Sequence, residues 1–238
     1  MSNLILPNRI ISFLQYGRKR EENAMLKLQK DLRDELKDDY ESYMDSTVTI
    51  AMTIAFYAHK DQVRVNNEQY ITHPMAIAEH FKQLTMIEED VFNEEDLYKF
   101  NLFHQGIQEV CWLHDVIEDT PYTLEDIRDV FESVGLANYF DQWIKKPLEL
   151  ITHDKSESYP IYIKKVLKHP TSALVKLLDL HNNSNPFTLD KFEEKELKRT
   201  QDYISYMKMI NDKYHFIEKF NEYQNYVSYK IYQKNKEE

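Results

Sequence analysis

The sequence predicts an all-α fold, and two features carry that expectation. Only three glycines and seven prolines occur in 238 residues, too few for the tight turns of a many-stranded protein. Leu, Lys, Glu, Gln and Met, which lose little side-chain freedom in a helix, are common instead. With 42% hydrophobic residues the chain can enclose a substantial core, so it should fold without staples.

Taken in order, residues 18–45 are dense in Lys, Arg, Asp and Glu, with Leu26, Leu28, Leu32 and Leu36 among them. This pattern predicts a charged amphipathic helix, an N-terminal extension (1–45) to a compact unit over 46–238. A second helix is predicted from Thr47 to His59. The polar run from Lys60 to Thr72, containing Asn66 and Asn67, reads as a loop. Pro74 suits the first turn of a helix over Met75–Leu84, because a first-turn position has no use for an N–H. Residues 101–119 read as one strongly apolar helix (Ile107, Val110, Cys111, Leu113, Val116, Ile117) that ends at Thr120-Pro121 and forms the core. Thr123 is placed as an N-cap with acidic residues in the turn after it. Further helices are expected to be separated at Pro147, Pro160, Pro170 and Pro186. From Asp190 to Lys236, aromatic residues such as Tyr203, Tyr206, Phe216, Phe220 and Tyr223 are spaced for one or two long helices packed on the rest.

Composition also excludes some functions. The formal net charge is −11 and the pI about 5.3, which argues against nucleic acid as a partner, since that requires broad phosphate neutralisation. A small anionic substrate remains compatible, because a cation and a few basic residues make one pocket locally positive. The apolar stretch Leu4–Leu14 is interrupted by Pro7, Asn8 and Arg9, too broken for a signal peptide and too short for a span. No membrane partner is expected. Cys111 is the one cysteine; it has no disulfide partner in the chain and fits a reducing cytoplasm.

The chemistry concentrates in Leu113-His114-Asp115-Val116-Ile117-Glu118-Asp119-Thr120, where four ionisable residues sit in six positions at the end of an apolar run. Burying such charges is costly unless they are paired or hold a metal. Helical spacing of three and four residues lets His114, Asp115, Glu118 and Asp119 converge. Adjacent His and Asp reach one ion only if the helix end aims both at it. Two more ligands are then needed, and the candidates are His73, in Tyr70-Ile71-Thr72-His73-Pro74, and Asp179, in Leu174-Val175-Lys176-Leu177-Leu178-Asp179-Leu180. A His2Asp2 set suits an octahedral divalent ion such as Mn2+ or Fe2+, with positions left for water and a phosphate oxygen.

These strings, together with His59-Lys-Asp-Gln-Val-Arg64, Leu180-His-Asn-Asn183, Arg199 and Tyr203, resemble the HD superfamily. Within it they are similar to the alarmone-hydrolase domain of RelA/SpoT enzymes and to stand-alone small alarmone hydrolases. The likeness runs in the family's order across roughly residues 50–213. It implies an HD-domain helical bundle with an added N-terminal helical segment and long C-terminal helices. It also implies His73, His114, Asp115 and Asp179 as ligands of one divalent ion, Mn2+ in the family. Glu118 and Asp119 match the acidic pair that positions and activates water. Arg64 matches a base-packing residue, Asn183, Arg199 and Tyr203 match nucleotide-facing positions, and Lys155 lies in a segment that lines the phosphate side.

The chain departs from the family at Val65-Asn66-Asn67, where a lysine and a glycine-containing loop are usual, and at Asn182, where a histidine is common. The implied activity is removal of the 3′-pyrophosphate from ppGpp, pppGpp or ppApp. The alternatives are hydrolysis of another nucleotide or NADPH on the same scaffold, or a non-catalytic module that binds an alarmone or docks a partner. A homo-oligomer, or a cognate synthetase neutralised in an antitoxin-like role, are the protein partners such a hydrolase could have.

Overall fold

In the computed structural model, which describes residues 43–65, 67–85, 102, 105–186 and 193–237, the segment predicted to be the core occupies the centre. Helix α1 spans Tyr43–Ala58, α2 Thr72–Leu84, α3 Ile107–Leu113 and α4 Val116–Asp119. They are followed by α5 (Leu124–Ser133), α6 (Ala137–Tyr139), a π-helical turn (Phe140–Ile144), α7 (Lys145–Ile151) and α8 (Tyr159–Val166). Helices α9 (Pro170–Asn183), α10 (Glu194–Tyr214) and α11 (Phe216–Glu237) complete the chain. The described residues are therefore all-α, with one isolated bridge, Val63 to Gln69. None of their helices is long and apolar enough to cross a membrane. The predicted helix over 18–45 lies outside the described residues except for its last positions, which belong to α1.

Helix α3 is apolar nearly all round, and α1, α2 and α9 pack against it. Ile107, Val110, Cys111, Trp112 and Leu113 are buried. So is Glu109, whose carboxylate accepts from the Tyr139 hydroxyl at 2.9 Å, which satisfies a charge that would otherwise be costly there. Burial of Phe81, Phe131, Phe140 and Tyr162 around this centre contributes about 1.5–3 kcal/mol for each fully buried large side chain.

The single helix expected over 101–119 is in fact two. The ladder opens at His114 and Asp115, where Asp115 takes φ −97°, ψ −8°, the sparsely populated bridge region. No glycine or proline stands between Ile107 and Asp119, so no local breaker marks the interruption. Its consequence is that both side chains leave the helix in one direction.

The Thr123 N-cap is present as a capping box with Asp126. Pro160 and Pro170 open their helices as expected. Pro147 instead falls within the first turn of α7 and breaks nothing. It has no N–H for the Trp143 carbonyl four residues back, and a wider turn precedes it. Gly106 lies against that same carbonyl with φ +85°, and a Cβ there would come within 2.7 Å of it. Only glycine permits the approach. The tail forms two helices separated at His215, in the left-handed region at φ 55°.

Candidate metal centre

Three helical segments deliver the cluster. His73 comes from the first turn of α2, His114 and Asp115 from the break between α3 and α4, and Asp179 from α9. His73, His114 and Asp179 are buried and offer ligand atoms all within 4.8 Å of one another. The Asp179 Oδ1 stands 3.0 Å from His73 Nε2 and 3.9 Å from His114 Nε2. Asp115 joins them, with Oδ1 3.2 Å from His114 Nε2 and Oδ2 3.5 Å from His73 Nε2.

The histidines are held so that Nε2 faces inward. His114 Nδ1 donates to the Cys111 carbonyl at 2.9 Å, which leaves a lone pair on Nε2 in the neutral ring. That nitrogen is buried without a hydrogen-bond partner. His73 Nδ1 lies 2.8 Å from Asn182 Oδ1, an arrangement that fixes the same tautomer. Such orientation of an imidazole by an outer acceptor is the usual support for a metal ligand. Two imidazole lone pairs and two carboxylates thus converge with no donor among them, and a divalent cation fits the donor set.

Without a cation, a proton is the substitute. Burial works to lower the pKa of His114, but Asp115 and then Asp179 outweigh it and raise it to about 9. Asp115 moves the other way: burial opposes its charge, and His114 and His73 hold its carboxyl below the usual carboxylate range. A raised histidine pKa stabilises the fold below the unfolded value, near 6.5, and that contribution is lost as pH rises toward 9. Metal-free protein is therefore expected to melt at progressively lower temperature between about pH 6.5 and 9. Mn2+-loaded protein should not, because the cation replaces the proton. Melting curves of both forms across that range are the check.

Beside the cluster lies an acidic edge. The Tyr70 hydroxyl sits between Asp115 Oδ2 at 2.8 Å and Asp119 Oδ2 at 2.7 Å, so one phenol proton bridges two carboxylates. Burial, with Asp115 and Asp119 adding to it, pushes the Tyr70 phenol above its ordinary range and keeps it a donor. Gln62 Nε2 donates to the Asp119 carbonyl at 2.6 Å, while its Oε1 faces Nδ1 of fully buried His59 at 2.7 Å. Glu118 Oε2 accepts from the His153 backbone N–H at 3.0 Å. Burial raises the Glu118 pKa, and Asp115 and Asp119 add to the shift.

The residues expected to face a substrate divide. Loop 60–72 reverses tightly, through Tyr70 N–H to the Gln62 carbonyl and Arg64 N–H to the Glu68 carbonyl. This sets Arg64 opposite Asn183, with Nη2 to Oδ1 at 3.3 Å. Asn183 Nδ2 in turn donates to Asp179 Oδ1 at 2.6 Å. Lys155 is exposed, its Nζ 3.9 Å from Asp119 Oδ1. Tyr203 on α10 is partly buried, which raises its phenol pKa, and it feels the charges of Arg199, Asp179 and Lys176. Arg199, a turn earlier, is exposed.

Sequence reasoning gave no individual role to Tyr70, Gln62, Lys176, Asn182 or His153. Tyr70 and Lys176 lie inside the very strings that located the candidate ligands, and Asn182 is one turn beyond Asp179. Their positions were the available signal.

No protein-family model matches the chain. Curated relatives do. The chain is 40% identical over 134 residues, 55% of its length, to a guanosine-3′,5′-bis(diphosphate) 3′-pyrophosphohydrolase of Haemophilus influenzae. It is 30% identical over 137 residues, 56% of its length, to the bifunctional (p)ppGpp synthase/hydrolase SpoT of Escherichia coli. A pyrophosphohydrolase of the same name from Shigella flexneri is similar to the same extent. The matched stretch is 17% of each of those proteins, so the chain spans about a sixth of their length. The resemblance to SpoT-type hydrolases read from the motifs is borne out at this level.

Proposed function

We propose that the chain is a metal-dependent HD-type hydrolase that removes the 3′-pyrophosphate of a guanosine or adenosine 3′,5′-polyphosphate, as its relatives' names describe for guanosine-3′,5′-bis(diphosphate). The observation that carries the reading is the convergence of His73, His114 and Asp179 ligand atoms in a buried cluster with Glu118 and Asp119 at its edge. His73, His114, Asp115 and Asp179 would hold one divalent ion, Mn2+ by the resemblance. When bound it would supply Lewis acidity, lowering the pKa of a water and drawing charge from a phosphoryl oxygen.

The protein's own residues do the rest. Glu118, held through one oxygen by the His153 N–H, keeps its other oxygen to accept a proton from the attacking water. Its raised pKa brings it nearer the range of a useful base. Asp119, restrained by Tyr70, orients that water. Attack on the near phosphorus breaks its bond to the 3′ oxygen, which leaves as the ribose hydroxyl after taking up a proton. The nucleoside di- or triphosphate and pyrophosphate separate. Lys155 and Arg199, both exposed, offset charge on the pyrophosphate, while Arg64, Asn183 and Tyr203 face the nucleoside. The substrate is a small nucleotide, and stringent control is the setting such chemistry implies.

Pyrophosphate release from ppGpp, pppGpp and ppApp, with Mn2+ and with chelator, tests the proposal. Metal-dependent release is expected from at least one of them. Bound Mn2+ with no release from any would overturn the assignment of substrate.

A further inference from the structure

The side of Asp179 turned away from the cluster carries a contact that the hydrolytic reading does not use. Lys176, Asp179 and Asn183 lie at i, i+3 and i+7 on α9 and so share one face. The two carboxylate oxygens of Asp179 have different surroundings. Oδ1 faces both imidazoles, at 3.0 Å from His73 Nε2 and 3.9 Å from His114 Nε2. Oδ2 is 2.7 Å from Lys176 Nζ. The Asn183 amide also donates to Oδ1, but an ionised oxygen keeps a second lone pair for another partner.

The lysine is confined. Its side chain is 12% exposed, and its Nζ lies over the Tyr162 and Tyr159 rings at 5.2 and 5.7 Å from their centroids. Moving to solvent would forfeit both cation–π contacts and the ion pair. Oδ2 of Asp179 is therefore held by a confined ammonium, while Oδ1, which accepts from Asn183, faces the cluster.

We infer that Lys176 is a positioning residue that captures Oδ2, so that Asp179 offers a bound cation Oδ1 alone. The inference rests on the metal-site reading above. An octahedral ion has six positions. One atom each from His73, His114, Asp115 and Asp179 leaves two, one for water and one for a phosphoryl oxygen. A carboxylate free to bind through both oxygens would take one of them. Lys176 thereby keeps the second position open at the cost of a weaker hold on the ion, because its charge also reduces the anionic pull of Asp179.

The test compares wild-type protein with Lys176→Met and Lys176→Arg, each stripped of metal and reloaded with Mn2+ alone. Electron paramagnetic resonance titration gives the Mn2+ affinity, and water-proton relaxation gives the number of exchangeable waters on the ion. Lys176→Met is expected to bind Mn2+ at least as tightly as wild type, to lose one exchangeable water, and to turn over alarmone about 10–100-fold more slowly, the usual range for an outer-shell change. Lys176→Arg should restore the water.

An unchanged water count in Lys176→Met overturns the inference. So does Mn2+ binding that weakens together with melting temperature, which is what a merely structural ion pair would produce. Lys176→Gln carries the same expectation where the methionine variant does not fold, and failure of both to fold also counts against it. Wild type that binds no Mn2+ would instead overturn the metal reading. Wild type that binds Mn2+ but hydrolyses no alarmone would overturn the substrate reading and leave the water count decisive here.

Discussion

Asp179→Ala is expected to abolish Mn2+ binding and, in the metal-free protein, to cost about 3–5 kcal/mol of stability, the range for removing one partner of a buried ion pair. The two losses have different origins. Metal binding fails because Oδ1 is the oxygen that both imidazoles face. Stability falls because Lys176, 12% exposed, is left as a charge without its carboxylate. In wild type, burial disfavours the Asp179 anion, but Lys176 and then His73 hold its carboxyl below the usual carboxylate range. That contribution is present above the unfolded pKa and lost as pH falls through the folded one.

Adding Lys176→Met to Asp179→Ala should recover most of the stability and none of the metal binding, since an apolar pair needs no counter-charge. Urea denaturation of the metal-free single and double variants, beside calorimetric Mn2+ titration, measures both. A double variant no more stable than Asp179→Ala would mean that the cost comes from the cavity and not from the stranded ammonium.

The contrast between those two residues illustrates what the sequence discloses. Asp179 could be picked out because an acid following a hydrophobic run demands an explanation. Lys176, three residues earlier, stands in the same string, yet a lysine on an amphipathic helix is ordinarily solvated. Only the packing of Tyr159 and Tyr162 over it shows otherwise.

The all-α class was legible because glycine and proline scarcity is a global property. The break at His114 and Asp115 was not, since no glycine or proline marks it between Ile107 and Asp119. Tyr70 illustrates a third case. Its hydroxyl bridges Asp115 and Asp119 across more than forty residues of chain, and no local pattern encodes a contact of that range. Asn182, a departure from the family's usual histidine, acquires a plain role once folded, because its carbonyl accepts from His73.

Glu118→Gln is expected to lower turnover by about 10²–10⁴-fold, the range for losing a general base, while Mn2+ affinity stays at the wild-type value. Glutamine keeps an oxygen for the His153 N–H that Glu118 Oε2 accepts, so the side chain's placement should survive and only its basicity is lost. The pH profile separates this role from a positional one. Burial, then the neighbouring carboxylates, raise the Glu118 pKa. The base is active when deprotonated, so kcat should climb with pH through a value above the ordinary glutamate range and level off beyond it. In Glu118→Gln that acid limb should disappear, leaving a low, flatter rate. If the limb persists at the same pH in the variant, the titrating base lies elsewhere. Asp119, whose carboxylate Tyr70 restrains, would then carry the proton transfer, and Asp119→Asn would be the variant that removes the limb.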